Sequence, residues 1–107
     1  MGVYKDGVVR DESGETLGNI NRGVIRDGSS RGSGNVLGNV HKGVIRDGSS
    51  ISGNVLFNVK GGAVRDGSSL GSGIAIGKLA DFTIKGMVGE PAADIVATYH
   101  FLVKKIV

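Results

Sequence analysis

The chain has 107 residues, the length of one small domain, with 13 basic and 10 acidic residues, two His and neither Cys nor Trp. A chain this short buries about two-thirds of its unfolded surface in a single core, and without Cys it is neither a disulfide scaffold nor a thiolate metal site. The formal charge of +3 is far short of a polybasic tail, and no apolar run approaches the ~20 residues of a membrane-spanning helix.

Twenty of the residues are Gly, about 19% against an average of ~7%. With one Pro and no Gly-x-y period, collagen is excluded. The excess comes from an internal repeat. After a short apolar piece, Val3-Tyr4, come GVVRDESGETLGNI (7–20), GVIRDGSSRGSGNVLGNV (23–40), GVIRDGSSISGNVLFNV (43–59) and GAVRDGSSLGSGIAIGKL (62–79). The Arg-Asp pairs begin at Arg10, Arg26, Arg46 and Arg65, so the steps are 16, 20 and 19 residues. The variable length lies in the Gly-Ser middle of each unit, as expected of exposed loop tips.

Each unit reads as a β-hairpin. Val24-Ile25-Arg26 is a short β-branched run, 28–34 has turn composition, and 35–40 is a second run. The two or three polar or Gly residues between units, such as His41-Lys42-Gly43, suit another tight reversal. The expected class is therefore mainly β, a closed ring of about five short antiparallel hairpins, in which Val3-Tyr4 and Phe82-Thr83-Ile84 form the fifth and remove the open edges. A β-solenoid is the structural alternative.

The apolar second position of the first strand (Val9, Ile25, Ile45, Val64) is expected to face the core. In the second strand Leu37 and Val40 lie three apart, as do Leu17 and Ile20, Leu56 and Val59, Ile76 and Leu79. A β-bulge at the intervening Gly38, repeated as Gly18 and Gly77, brings both inward. Phe57 takes that position in the third unit and puts the bulge there in question.

The chain then changes character. Residues 1–88 form the hairpin body and 89–107 an apolar C-terminal segment. Pro91, Glu90, Asp94 and Lys104-Lys105 are placed as in a helix, and Ile95, Tyr99, Leu102, Val103 and Ile106 follow helical spacing. Ile95, Ala97, Tyr99, Phe101 and Val103 alternate as in a strand. Helix or strand, the segment is expected to cap the body or pair with the same segment of another chain, giving a homo-oligomer.

GVIRDGSS (23–30), NVLGNV (35–40) and PAADIVATYHFL (91–102) resemble the bacterial five-fold β-flower family. The resemblance implies a closed ring of β-hairpins about a pseudo-five-fold axis. It implies little about function and carries over no site residues.

Asp11, Asp27, Asp47 and Asp66 are the candidate metal set, a carboxylate ring for a hard cation. Asp ahead of a Gly-Ser turn also accepts the turn's own N–H groups, which is the more economical reading. Arg10, Arg26, Arg46 and Arg65 are the candidate ligand-binding set, a rim for an anionic or glycan-like ligand. Cross-strand pairing with carboxylates is the structural account. Too few aromatics interleave with the basic residues for nucleic acid to be the expected partner. His41 and His100 stand alone, no P-loop is present, and no cofactor is expected. No converging acid, base and nucleophile marks a catalytic site. The chain reads as a non-enzymatic structural or interaction module, with anion or glycan binding through the Arg-rich rim or an axial pocket second and a metal-dependent enzyme using the repeated Asp residues third. Nothing resembling a secretory signal opens the chain, so the expectation leans towards a cytoplasmic location.

Overall fold

The computed structural model describes residues 3–48 and 53–107. Nine strands form one antiparallel sheet in which each strand pairs with the next in sequence. They are β1 (Val3–Lys5), β2 (Val8–Arg10), β3 (Thr16–Asn21), β4 (Val24–Arg26), β5 (Val36–His41), β6 (Val44–Arg46), β7 (Val55–Lys60), β8 (Ala63–Arg65) and β9 (Ala75–Lys78). A 3-10 turn, Leu79–Asp81, leads to α1 (Ala92–Thr98), which runs on into a π-type turn, Tyr99–Val103.

Two kinds of reversal alternate along the sheet. One is a two-residue turn with both residues at positive φ: Asp6-Gly7, Arg22-Gly23, Lys42-Gly43 and Gly61-Gly62. These are the dihedral signs of a type I′ turn, whose twist matches the flanking strands. The second position is Gly in all four, and the first is charged in three. The other reversal is the long Gly-Ser tip, of which residues 49–52 in the third unit lie outside the described residues.

A bulge follows each tip. Ile25 faces Gly38 while Arg26 faces Val36, so Leu37 is the extra residue. The same shift leaves Leu17, Leu56 and Ile76 unpaired. The extra residue is thus the one before the expected Gly, and the bulge persists where Phe57 replaces Gly. Its consequence is the expected one: Leu37 and Val40 both pack on the core formed by Val9, Ile25, Ile45 and Val64.

The C-terminal segment is a helix rather than a strand, and the sheet curls around it. Val96, Ala97 and Thr98, three consecutive residues, are fully buried. A surface helix buries only a stripe, so burial on successive residues means protein on all sides. Thr98 is satisfied there by donating its hydroxyl to Asp94 O at 2.7 Å. The four residues after it fan out to the four hairpins. Leu102 reaches the Gly18 backbone and Phe101 presses on Gly38. His100 meets the Phe57 ring edge-on, with centroids 5.3 Å apart. Tyr99 packs on Phe82, which covers Gly77. Gly therefore occupies the position wherever a side chain from elsewhere fills the space, and Phe57 fills it from its own strand. The π-type turn, closed by Lys104 N–H donating to Tyr99 O at 2.9 Å, advances by less than the α-helical 100° per residue. That lets adjacent residues address adjacent hairpins.

The closed ring is not found. β1 and β9 are the two ends of the strand order and do not pair. Val3-Tyr4 lies in β1, which pairs with β2 ahead of the first unit's tip, and Phe82-Thr83-Ile84 forms no strand. The termini meet at one parallel bridge, Val3 to Lys85, where Tyr4 N–H donates to Lys85 O at 2.7 Å. Closure fails because β9 stops at Lys78, whose N–H goes to the Asp81 carboxylate at 3.0 Å as the 3-10 turn leads the chain away.

Candidate functional site

The repeated Asp residues close the tips. Asp27 Oδ1 accepts Asn35 N–H at 2.8 Å, Asp47 Oδ1 accepts Asn54 N–H at 3.0 Å and Asp66 Oδ1 accepts Ile74 N–H at 2.8 Å. Asp11, in the shorter first tip, accepts from the Ser13 hydroxyl at 2.6 Å and from the Ser13 and Glu15 amides at 2.9 and 3.0 Å. The Ser13 hydroxyl is the largest influence holding its carboxyl below the usual range, followed by the Glu15 amide. Each Asp serves its own hairpin. Among the described residues no three His, Asp or Glu side chains come together as a metal site.

The repeated Arg residues end the first strand of each unit, one position before the Asp. Register places Asn19 opposite Arg26, Asn39 opposite Arg46 and Asn58 opposite Arg65. The cross-strand neighbour is thus an amide, not the expected carboxylate. Arg10 is exposed and the other three are half-buried. Arg46 Nη1 is buried with no hydrogen-bond partner among the described residues.

Those Asn residues are what reading the sequence missed. Asn19 is fully buried and holds the next unit's tip with both ends of its amide. Its Nδ2 donates to Gly28 O at 3.1 Å and Ser33 O at 3.0 Å, and its Oδ1 accepts Gly32 N–H at 2.9 Å. Asn58 repeats the pattern with Gly67 O, Ser72 O and Gly71 N–H at 2.8, 3.0 and 2.9 Å. Asn39 donates to Gly48 O at 2.5 Å. Only a side chain with donor and acceptor on one planar head makes this clasp. The signal was present as Asn at the fourth position of TLGNIN, VLGNVH and VLFNVK, the recurrent Leu-x-Asn of β3, β5 and β7. The tips are therefore tied back onto the preceding hairpin. Arg31 in the second tip lies against Gly7 and donates Nε–H to Asn21 Oδ1 at 3.1 Å, and Leu70 in the fourth lies against Gly43.

A cleft of about 550 Å³ opens where the helix ends. Leu37 and Leu56, two of the bulge residues, form its apolar wall with Phe101, and Asp47, Lys104 and Lys105 stand at its polar side. His100 lies at its base, 4% exposed, with Nδ1 accepting the Ile106 N–H at 2.9 Å. Burial, and then the nearby Lys105 ammonium, hold its imidazole below the ordinary value. His41 is exposed at the end of β5.

At the other end of the helix, Asp94 is half-buried, and burial followed by the charge of Glu90 raises its carboxyl. A smaller apolar cavity of about 250 Å³ lies nearby between Met87 and Ile95. Among the described residues no helix is long and apolar enough to cross a membrane. Set against protein-family models, curated proteins and solved structures, the chain matches none.

Proposed function

We propose that this chain is a non-enzymatic structural or interaction module. The observation that carries the reading is where the repeated polar groups are spent. The Asp carboxylates close their own tips, and the buried Asn amides clasp the neighbouring ones. Groups so engaged build a rigid rim and are not poised as acid, base or nucleophile. Kinship with the five-fold β-flower family belongs to the same reading, supported by four hairpin units around one helix. A homo-oligomer through the C-terminal segment would use residues 103–107, since Ile95 to Leu102 are largely taken up by the chain's own sheet.

Binding of an anionic or glycan-like ligand is the second reading. It is favoured by the Arg register, which supplies no facing carboxylate, and by Arg46 Nη1, which has no hydrogen-bond partner among the described residues. One set of measurements separates these readings. The full chain is melted with and without a sulfated polysaccharide, inorganic polyphosphate, Ca²⁺ and Mg²⁺, at low and high salt. A structural module shows no shift with any of them. Stabilisation by the polyanions that disappears with salt, and with Arg46→Gln, transfers the function to the second reading. Stabilisation by Ca²⁺ or Mg²⁺ instead points to the Asp set and a metal-dependent role.

A further inference from the structure

The last four residues, 104–107, leave the helix without regular secondary structure, beginning with Lys104 in extended backbone at φ −154° and ψ 129°. They turn back along the helix end, and the Ile106 amide reaches the ring of His100. The ring is fixed on both sides, edge-on to Phe57 at 5.3 Å and to Phe101 at 4.8 Å, so it has little freedom to turn away. Nδ1 must carry a lone pair to accept this bond, which requires the neutral imidazole.

We propose that the His100–Ile106 hydrogen bond is a pH-sensitive latch: the neutral imidazole holds residues 104–107 across the end of the helix, and protonation releases them and opens the apolar cleft beneath. A proton on Nδ1 turns the acceptor into a donor facing another donor. The new charge also stands near Lys105, which the released segment carries away. Asp47 and Lys104 share the cleft with the ring, and Asp47 Oδ1 is already engaged by Asn54 N–H. Of the charged groups on β5, β6 and β7, which pack on the helix, Arg46 lies at the tip end of its strand. His41 and Lys60 are exposed at the turn ends of theirs.

The direction follows from linkage. The latched imidazole binds a proton less readily than a free one at 6.5, whereas release exposes it to water. The released form therefore takes up the proton first, and its population grows as pH falls, by up to about tenfold per pH unit, until the latched ring also titrates.

The test is an NMR titration of the full ¹⁵N-labelled chain from pH 7.5 to 5.0, following both imidazoles and the backbone order of 104–107. His41→Gln assigns the His100 signal. The expected result is an ordered segment at pH 7.5 that loses its order at pH 5.0, in step with His100, while α1 stays ordered. In His100→Asn, whose Oδ1 stands near the Nδ1 position and does not titrate, the segment stays ordered throughout. Ile106→Pro, which lacks the donor, shows it released already at pH 7.5. An ordered segment at pH 5.0 with His100 charged overturns the proposal, as does release out of step with His100. If His100→Asn fails to fold, the coincidence of midpoints in the wild-type chain and the behaviour of Ile106→Pro decide.

Discussion

Replacing Gly38 by Ala tests the packing of the helix against the hairpins. Gly38 is buried, and its backbone φ lies outside the left-handed region, so the substitution carries no conformational penalty of that kind. The obstacle is steric. A methyl group there runs into the Phe101 ring and stands 2.7 Å from Arg46 O. The ring can shift, but it is held against His100, and the carbonyl belongs to a strand. Overpacking of this kind costs about 1–3 kcal/mol. For a domain of this size that lowers the melting temperature by about 4–8 °C per kcal/mol. Truncating the half-buried ring in Phe101→Ala costs about 3 kcal/mol, the lower end of the range for buried aromatics.

The decisive measurement is the double-mutant cycle, by urea unfolding. If the ring is what excludes the methyl, Gly38→Ala is cheaper in the Phe101→Ala background, with a coupling of about 1–3 kcal/mol. Rescue stays incomplete because Arg46 O remains. Additivity of the two substitutions within about 0.5 kcal/mol would refute the reasoning, because residues that do not touch behave that way.

Other substitutions probe the tips, the turns and the helix start. Asn19→Ala removes three bonds to the second tip and is expected to cost about 1–3 kcal/mol in urea unfolding, with faster amide exchange at Gly32, whereas Ser29→Ala at the exposed tip is neutral. Lys42, at φ 50°, occupies the left-handed region without the freedom of Gly, so Lys42→Gly should raise the melting temperature, through relief worth about 1 kcal/mol. Asp94 is a carboxyl whose folded value is raised, so the folded state holds its proton to higher pH than the unfolded chain does. Its charged form thus weakens the fold at pH 7, and this cost fades as pH falls through the folded value towards 3.8. Asp94→Asn should accordingly stabilise at pH 7 and lose its advantage near pH 3, as read by melting curves at both.

What the sequence disclosed, and what it withheld, divides along the range of the interactions. The hairpins, the tight turns at Arg22-Gly23 and Lys42-Gly43, and the inward-facing Val9, Ile25, Ile45 and Val64 all follow from local patterning. The bulge was legible too, because two apolar residues three apart cannot share a strand face without one. Its exact residue was not, since the Gly that suggested it is there for another reason. Gly18, Gly38 and Gly77 are small because Leu102, Phe101 and Phe82 come to them from 84, 63 and five residues along the chain, and no local pattern reports the first two approaches. The same blindness hid the Asn clasp. Asn19 and Asn58 sit at strand positions where Asn has poor propensity, and each bonds a tip 9 to 14 residues ahead in the following unit. A polar residue recurring against local preference inside a repeat is evidence of a partner in the next copy. Read that way, the departures from the repeat become as informative as the repeat. Lys78 stands where the earlier units have Asn, and there is no fifth tip for it to clasp; its backbone N–H goes instead to Asp81, where the sheet ends. Phe57 stands where they have Gly, and there the helix presents His100, the ring that the latch requires.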